Sequence, residues 1–418
     1  MADTYFISKA VGANGITALN MALPVYGVIF ALGQMVGVGS AIRYSIVKEQ
    51  YRNSNKDGSN ECDKYFSGAL FWGLVIGVIF AVLGLVFPDK IVEIMGGDET
   101  IVAIGVPYFR IFMSFSPFFI FNYTCNAFVR NDGNPSVSMA ATLISSLFNI
   151  VFDYILMFPL GMGMPGAALA TALSPVVGVM ICMIHFLSKK NTVKFKWFKT
   201  SLTRLFHCCQ VGMSAFVGEM SGAVIVMVFN FIILRLTGNI GVAAYGVVAN
   251  TALVAVAVFN GVALGSQPLI SESYGKHNIK DIKLIEKLGV ATALGLAVII
   301  VMMIWGFTDT IVGVFNSQGS DRLLSLARVG LRIYFIGFLF AGINIFCSSA
   351  LSAIASVKWA FVLSILKGFV VVNVCAAILA PIFGMNGVWV AFPLSEFILL
   401  IISGFAMKKS IGALESER

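Results

Sequence analysis

Charge is scarce in this sequence. Asp, Glu, Lys and Arg make up 11% of its 418 residues, against about 25% in a soluble globular chain. The charges also cluster: residues 66–87, 133–152, 236–271, 288–308 and 333–357 contain none at all. Each run has the roughly 20 apolar residues needed to cross a bilayer. In lipid, every backbone polar group must be satisfied within its own segment or a closed barrel. Short alternating segments are lacking, which excludes a barrel and leaves helices. Histidine is nearly absent, with three scattered residues, and no His-Glu-x-x-His pattern or His–carboxylate cluster occurs. That argues against a membrane-embedded enzyme. The seven cysteines lie mostly inside apolar runs, without disulfide or zinc spacing, and read as small buried side chains. No cofactor is implied. A secretory signal with a small-residue cleavage site is also lacking.

What the chain has is apolar helix: 58% hydrophobic residues, 36 of them Phe and 18 Met. Such a surface suits a pliable drug cavity and a lipid-facing exterior equally. A stub at 2–11 precedes expected spans at 16–47, 64–87, 101–129, 135–158, 165–188, 208–235, 241–272, 283–307, 322–351, 357–380 and 386–407. Glycine, asparagine and proline clusters separate them. Several exceed one bilayer thickness and call for tilt.

The strongest pattern is an internal repeat. Shifting residues 5–45 by 226 gives ten identities in 41 positions, including Gly12 on Gly238, Gly39 on Gly265 and Ser40 on Ser266. A second block repeats at 222: Arg110 meets Arg332, Asn122 meets Asn344, Cys125 meets Cys347 and Pro159 meets Pro381. The chain therefore reads as an all-α polytopic membrane protein of two homologous six-helix bundles. Residues 1–190 form the first lobe, 191–204 a linker and 205–418 the second lobe. Six spans per half give a parallel repeat about an axis along the membrane normal, as in many transporters.

The net charge of +8 does not indicate nucleic-acid binding, because the positive charge lies in alternate loops. Nineteen of the 28 Lys and Arg residues fall on one side, which the positive-inside rule places in the cytoplasm with both termini. The chain is expected to be a multi-pass plasma-membrane protein, monomeric, with the lipid bilayer as its environment.

Intramembrane acids cost about 2.5–3.5 kcal/mol each on insertion scales and need a reason. Asp153 lies in the expected span at 135–158, and Asn149, four residues earlier, shares its helical face. A carboxylate and an amide oxygen on one face suit a proton or a hard cation. Asn149 falls on Val371 and Asp153 on Cys375, so the helix does not itself require the charge. The competing reading is an aspartate snorkelling to the outer interface. Glu219 lies mid-span after Gly212 and Gly218. It suits cationic substrate or a proton, or else an ion pair with Lys367. Lys367 and Glu396 have no role assignable from sequence.

The chain resembles the multidrug and toxic compound extrusion (MATE) family, of the superfamily that includes lipid and oligosaccharide flippases. The residues that carry the resemblance are Asp3-Thr4 with Gly12 after it, Pro24, residues 130–135, Asn149-x-x-x-Asp153, the Gly166-Ala-Ala-Leu-Ala-Thr171 run and the run from Gly265 to Gly275. The resemblance implies two lobes around a central cavity, and export of amphipathic, often cationic, organic compounds in exchange for protons or sodium ions. It further implies that Asp3, whose repeat mate is Phe229, joins Asn149, Asp153 and Thr171 at a proton or sodium site in the first lobe, and that Glu219 meets substrate. For Asp3 the alternative is a solvated chain end, and for Thr171 a hydroxyl bonded to its own helix. A flippase of a lipid-linked or polar precursor is the alternative function. Flippases often have 14 spans and a cationic cavity, whereas this chain has at most 12 and mostly acidic intramembrane charges. The usual full first helix is also missing: Met1 falls on Met227. The expectation is that roughly 20–40 residues, at least one span, belong upstream of Met1.

Overall fold

The computed structural model describes residues 2–54, 59–198, 200–315 and 320–416. The elements in chain order are α1 (Ala2–Ala10), α2 (Ala13–Asn53), α3 (Ser59–Val86), α4 (Pro88–Ile94), α5 (Glu99–Ser114), α6 (Ser116–Asn131), α7 (Pro135–Met157) and α8 (Gly163–Phe186). They continue as α9 (Leu202–Gly275), α10 (Ile279–Gly306), α11 (Thr308–Phe315), α12 (Asp321–Tyr334), α13 (Phe338–Ala353), α14 (Val357–Ile365) and α15 (Val371–Ser416). A 3-10 turn (Phe335–Gly337) joins α12 to α13, and a π-helical turn (Leu366–Val370) joins α14 to α15. Among the described residues there is no strand, and eight helices are long and apolar enough to cross a membrane, or nine if α5 and α6 count as one bent span.

Helix α9 has 74 residues and α15 has 46, too long for one pass each. Each is broken at a glycine in the left-handed region, Gly238 at φ 67° and Gly384 at φ 58°. Glycine bears no Cβ penalty there. The expected span at 101–129 is also two helices, bent by 44° at Phe115. Pro117 lacks an N–H, and the Ser116 hydroxyl donates to the Met113 carbonyl at 2.6 Å. Position 115 maps onto Gly337, where the expected span at 322–351 passes through its 3-10 turn.

The repeat recurs in backbone detail. Gly12 (φ 83°, ψ −159°) and Gly238 (φ 67°, ψ −157°) carry the same break. The Asp98 side chain caps α5 by accepting from the Ile101 N–H, and Ser320 caps α12 by accepting from the Leu323 N–H. Asp98 and Ser320, like Ile101 and Leu323, lie 222 positions apart. At the end of α6 the Asn134 N–H donates to the Val129 carbonyl at 3.1 Å. At the end of α13 the Ser356 N–H donates to the Leu351 carbonyl at 2.9 Å. The left-handed residue inside that turn is Gly133 in the first half and Ala355 in the second.

The chain divides into two compact units, Met1–Phe216 and Val217–Arg418. The first is cored by Ile7, Ala18, Ile29, Phe109, Phe112 and Ile120 with their neighbours. The second has one cluster around Phe229, Tyr245, Phe259, Phe338 and Trp389, and another around Phe346, Leu351 and Met407. The stretch between α8 and α9 belongs to the first unit and is pinned to α3. The Lys194 N–H donates to Asp63 Oδ1 at 2.9 Å, the Lys196 N–H donates to the Ser67 hydroxyl at 2.9 Å, and Lys196 Nζ pairs with Asp63 Oδ2 at 2.8 Å.

Candidate transport site

Helix α1 packs on α2, α7 and α8. Its Ile7 is fully buried, and the Phe6 ring meets those of Tyr154 on α7 and Phe158 just past its end at 6.2 and 6.0 Å. That docking brings Asp3 to Asp153, 150 residues away in sequence, with the two carboxyl groups in hydrogen-bond reach. Asp153 is completely buried, and neither of its oxygens has a hydrogen-bond donor among the described residues. Two ionised carboxylates only accept, so they hold each other only with a proton or another cation between them.

The phenol groups of Tyr26 on α2 and Tyr108 on α5 stand within electrostatic reach of Asp3. Thr171 on α8 lies beside the Tyr108 hydroxyl, its own Oγ1 buried. Asn149 sits one turn before Asp153 on α7, with its amide nitrogen buried and unpartnered. Asp3 and Asp153 therefore meet directly, Thr171 joins through Tyr108, and Asn149 is their neighbour along the helix.

Tyr26 and Tyr108 are missed by sequence reasoning, since a tyrosine in an apolar run reads as core. The repeat carries the missing signal. Tyr26 falls on Ala252, Tyr108 on Gly330 and Thr171 on Pro393. With Phe229, Val371 and Cys375 opposite Asp3, Asn149 and Asp153, every polar member of the cluster has an apolar or small mate. The second unit fills the equivalent place with hydrocarbon. Phe229 and Trp389 are fully buried in one cluster with Ala252 and Cys375, and a Cβ on Gly330 would lie 2.8 Å from the Trp389 ring.

Polar groups of the second unit gather elsewhere. Lys367, in the π-helical turn, stands 4.0 Å from Glu396 Oε1. The Asn344 amide donates to Glu396 Oε2 at 2.7 Å and to its carbonyl at 2.8 Å, while the Ser403 hydroxyl donates to Asn344 Oδ1 at 2.9 Å. The repeat mates of Lys367 and Glu396 are Ser145 and Ser174, and there too the two positions are in contact: the Ser174 hydroxyl donates to the Ser145 carbonyl at 2.8 Å. Lys367 thus has Glu396 as its ion-pair partner. Glu219 is exposed on the surface of α9.

A two-fold repeat of membrane-spanning helices, with two carboxyl groups brought together in one half, is the arrangement of a membrane transporter. The chain belongs to the MatE family, whose model matches residues 1–155 and 215–379. It is similar to the multidrug export protein MepA of Staphylococcus aureus strain MRSA252, with 28% identity over 395 residues, 92% of this chain and 84% of MepA. MepA of Staphylococcus saprophyticus is 25% identical over 391 residues, 92% and 84% of the two chains. Among solved structures, an outward-facing multidrug resistance MATE transporter of the MOP superfamily superposes with a TM-score of 0.92 at 22% identity, covering 99% of this chain and 92% of that one.

Proposed function

We propose that the protein is a proton-coupled antiporter that exports amphipathic, often cationic, organic compounds across the plasma membrane, with both termini in the cytoplasm. The observation that carries this reading is the Asp3–Asp153 pair. A buried carboxyl facing another carboxyl is at ease when one proton is shared, and the pair is repulsive when both groups are ionised. Exchange of that proton changes the charge of a site wedged between α1, α2, α5, α7 and α8. It therefore favours one packing of these helices over another, as a coupling ion must. The multidrug substrates named for the relatives support the cargo, and Glu219 offers an exposed negative charge for cations.

The test uses purified protein in sealed vesicles, with a fluorescent cationic dye and either a proton or a sodium gradient. The expected outcome is dye movement driven by the proton gradient alone. Drive from sodium alone would overturn the coupling ion, and movement with neither gradient would overturn the antiporter.

A further inference from the structure

The first unit holds a cavity of about 870 Å³ far from the carboxyl pair in the chain, between α3, the end of α8 and the stretch leading to α9. Its walls are mostly aromatic and aliphatic, with Phe66, Leu70, Trp72 and Phe121 on one side and Phe186 and Phe195 on another. The rim is basic: Lys64, Lys194, Lys196 and Arg204 all line it. Two carboxylates offset part of that charge. Glu61 pairs with Lys64 and, at 3.3 Å, with Arg204, while Asp63 pairs with Lys196. Arg43 adds a charge that has no carboxylate partner among the described residues. It stands beside Tyr65 and Cys208, both of which line the cavity, and its Nε is buried without a partner. Trp72 Nε1 is a second buried donor with no acceptor among the described residues. Around the mouth the apolar side chains are unusually bare: Trp197 is 84% exposed and Leu187 is 82% exposed.

An apolar pocket with orphaned donors beside it, a cationic rim and exposed Trp and Leu at its mouth matches one chemistry. The ligand has an acyl chain and an anionic head, and the surrounding side chains are those that sit at headgroup depth. The repeat shows that the fold does not require these charges. Arg43 falls on Leu269, Lys64 on Glu286 and Trp72 on Leu294.

We propose that this cavity is a binding site for an anionic phospholipid drawn from the leaflet at the basic face of the protein, with Arg43, Arg204 and the Trp72 N–H meeting its phosphate and the aromatic wall holding the upper acyl chain. The lipid neutralises the arginines and ties the stretch between α8 and α9 to the bilayer. The remaining tryptophans, Trp305, Trp359 and Trp389, lie in the second unit, so the two in the cavity can report on it.

The purified full chain is placed in phosphatidylcholine bilayers with a small fraction of dibrominated phosphatidylglycerol or, in parallel, dibrominated phosphatidylcholine, and tryptophan quenching is recorded. The expected result is excess quenching by the anionic lipid, abolished in Trp72→Phe/Trp197→Phe. Its half-saturation should rise about fivefold for each of Arg43→Gln and Arg204→Gln, from the attraction of one basic residue to anionic lipid. Melting temperatures in neutral detergent confirm that the variants are folded. Equal quenching by both lipids overturns the site, as does excess quenching that survives loss of both tryptophans or of both arginines. Displacement by millimolar inorganic phosphate would assign the arginines to a free ion and overturn the lipid.

Discussion

Gly39 of α2 and Gly212 of α9 meet backbone to backbone within the first unit. A Cβ on Gly39 would lie 2.1 Å from the Cys208 carbonyl oxygen, and a Cβ on Gly212 would lie 2.0 Å from the Met35 carbonyl oxygen. The contact is reciprocal, each glycine facing the residue four before the other. It lets two helices approach where lipid supplies no hydrophobic drive, as small residues do at membrane helix interfaces. Gly39→Ala or Gly212→Ala should each destabilise by about 1–3 kcal/mol, since backbone rather than a flexible side chain must give way. Gly27→Ala, with nothing within 4 Å of its Cβ, is the control. Melting temperatures in detergent check this, and equal values for all three would defeat it.

Asp132, at the turn after α6, ties four parts of the first unit together. It accepts from Tyr44 at 2.6 Å, Lys48 at 2.8 Å, His185 Nε2 at 2.9 Å and the Thr192 N–H at 2.9 Å. The Asn134 amide donates to His185 Nδ1 at 3.2 Å, which leaves the imidazole proton on Nε2, aimed at the carboxylate. Burial pushes the Asp132 carboxyl up, but hydrogen bonds from Lys48, Thr192 and Tyr44 outweigh it and hold the group below its ordinary value. A depressed carboxyl contributes stability that is complete above its unfolded value of about 4 and is lost as the pH falls through the folded value. Asp132→Asn should therefore destabilise by about 2–3 kcal/mol at neutral pH, with the gap closing below about pH 4. Thermal melts of both proteins across that range measure it.

Asp153→Asn should abolish proton-driven dye export while leaving the protein folded and inserted, because the amide cannot exchange the shared proton. Asp3→Asn should do the same, since the pair acts as one group. Vesicle assays read the outcome, and unimpaired export by either variant would refute the assignment.

Glu219→Gln should weaken export of cationic dyes by about tenfold, the effect of about 1.4 kcal/mol, and spare neutral ones. The side chain is exposed and Lys367 is engaged by Glu396. Concentration-dependence of transport for a matched cationic and neutral pair measures it, and equal loss for both would count against a contact with substrate.

Lys367→Met should destabilise the second unit by about 3 kcal/mol, because it leaves the Glu396 charge buried alone. Adding Glu396→Gln, which keeps an acceptor for Asn344, should restore most of that loss. A double-mutant cycle of melting temperatures gives the coupling, and additive effects would mean that the 4.0 Å pair contributes little.

Much of the fold is legible in the sequence because its determinants are local or periodic. Charge-free runs mark the spans, Gly12 and Gly238 mark equivalent breaks, and the shift of 222 lines up Asp98 with Ser320 as helix caps. The bend at Phe115 is harder to read, since it depends on how the backbone resolves Pro117 inside an unbroken apolar run. In the site, Asp153 stands out as a charge without a counterpart in the second half. Its meeting with Asp3 depends on how α1 docks through Ile7 and Phe6, a tertiary fact with no periodic signature. The Lys367–Glu396 pair is invisible for the same reason, since 29 positions and a π-helical turn separate its members.

The two halves answer one geometric position in different chemical languages. Where the first places Ser145 against Ser174, the second places Lys367 against Glu396; where the first sets Asp153 against Asp3, the second sets Cys375 and Phe229 in an oily core. Neither half can stand in for the other. A chain joined from two first halves would own two acidic pairs and no Lys367–Glu396 pair, and one joined from two second halves would own two salt-bridged cores and no acidic pair. The repeat supplies one scaffold twice, and these few positions make its two copies chemically unequal.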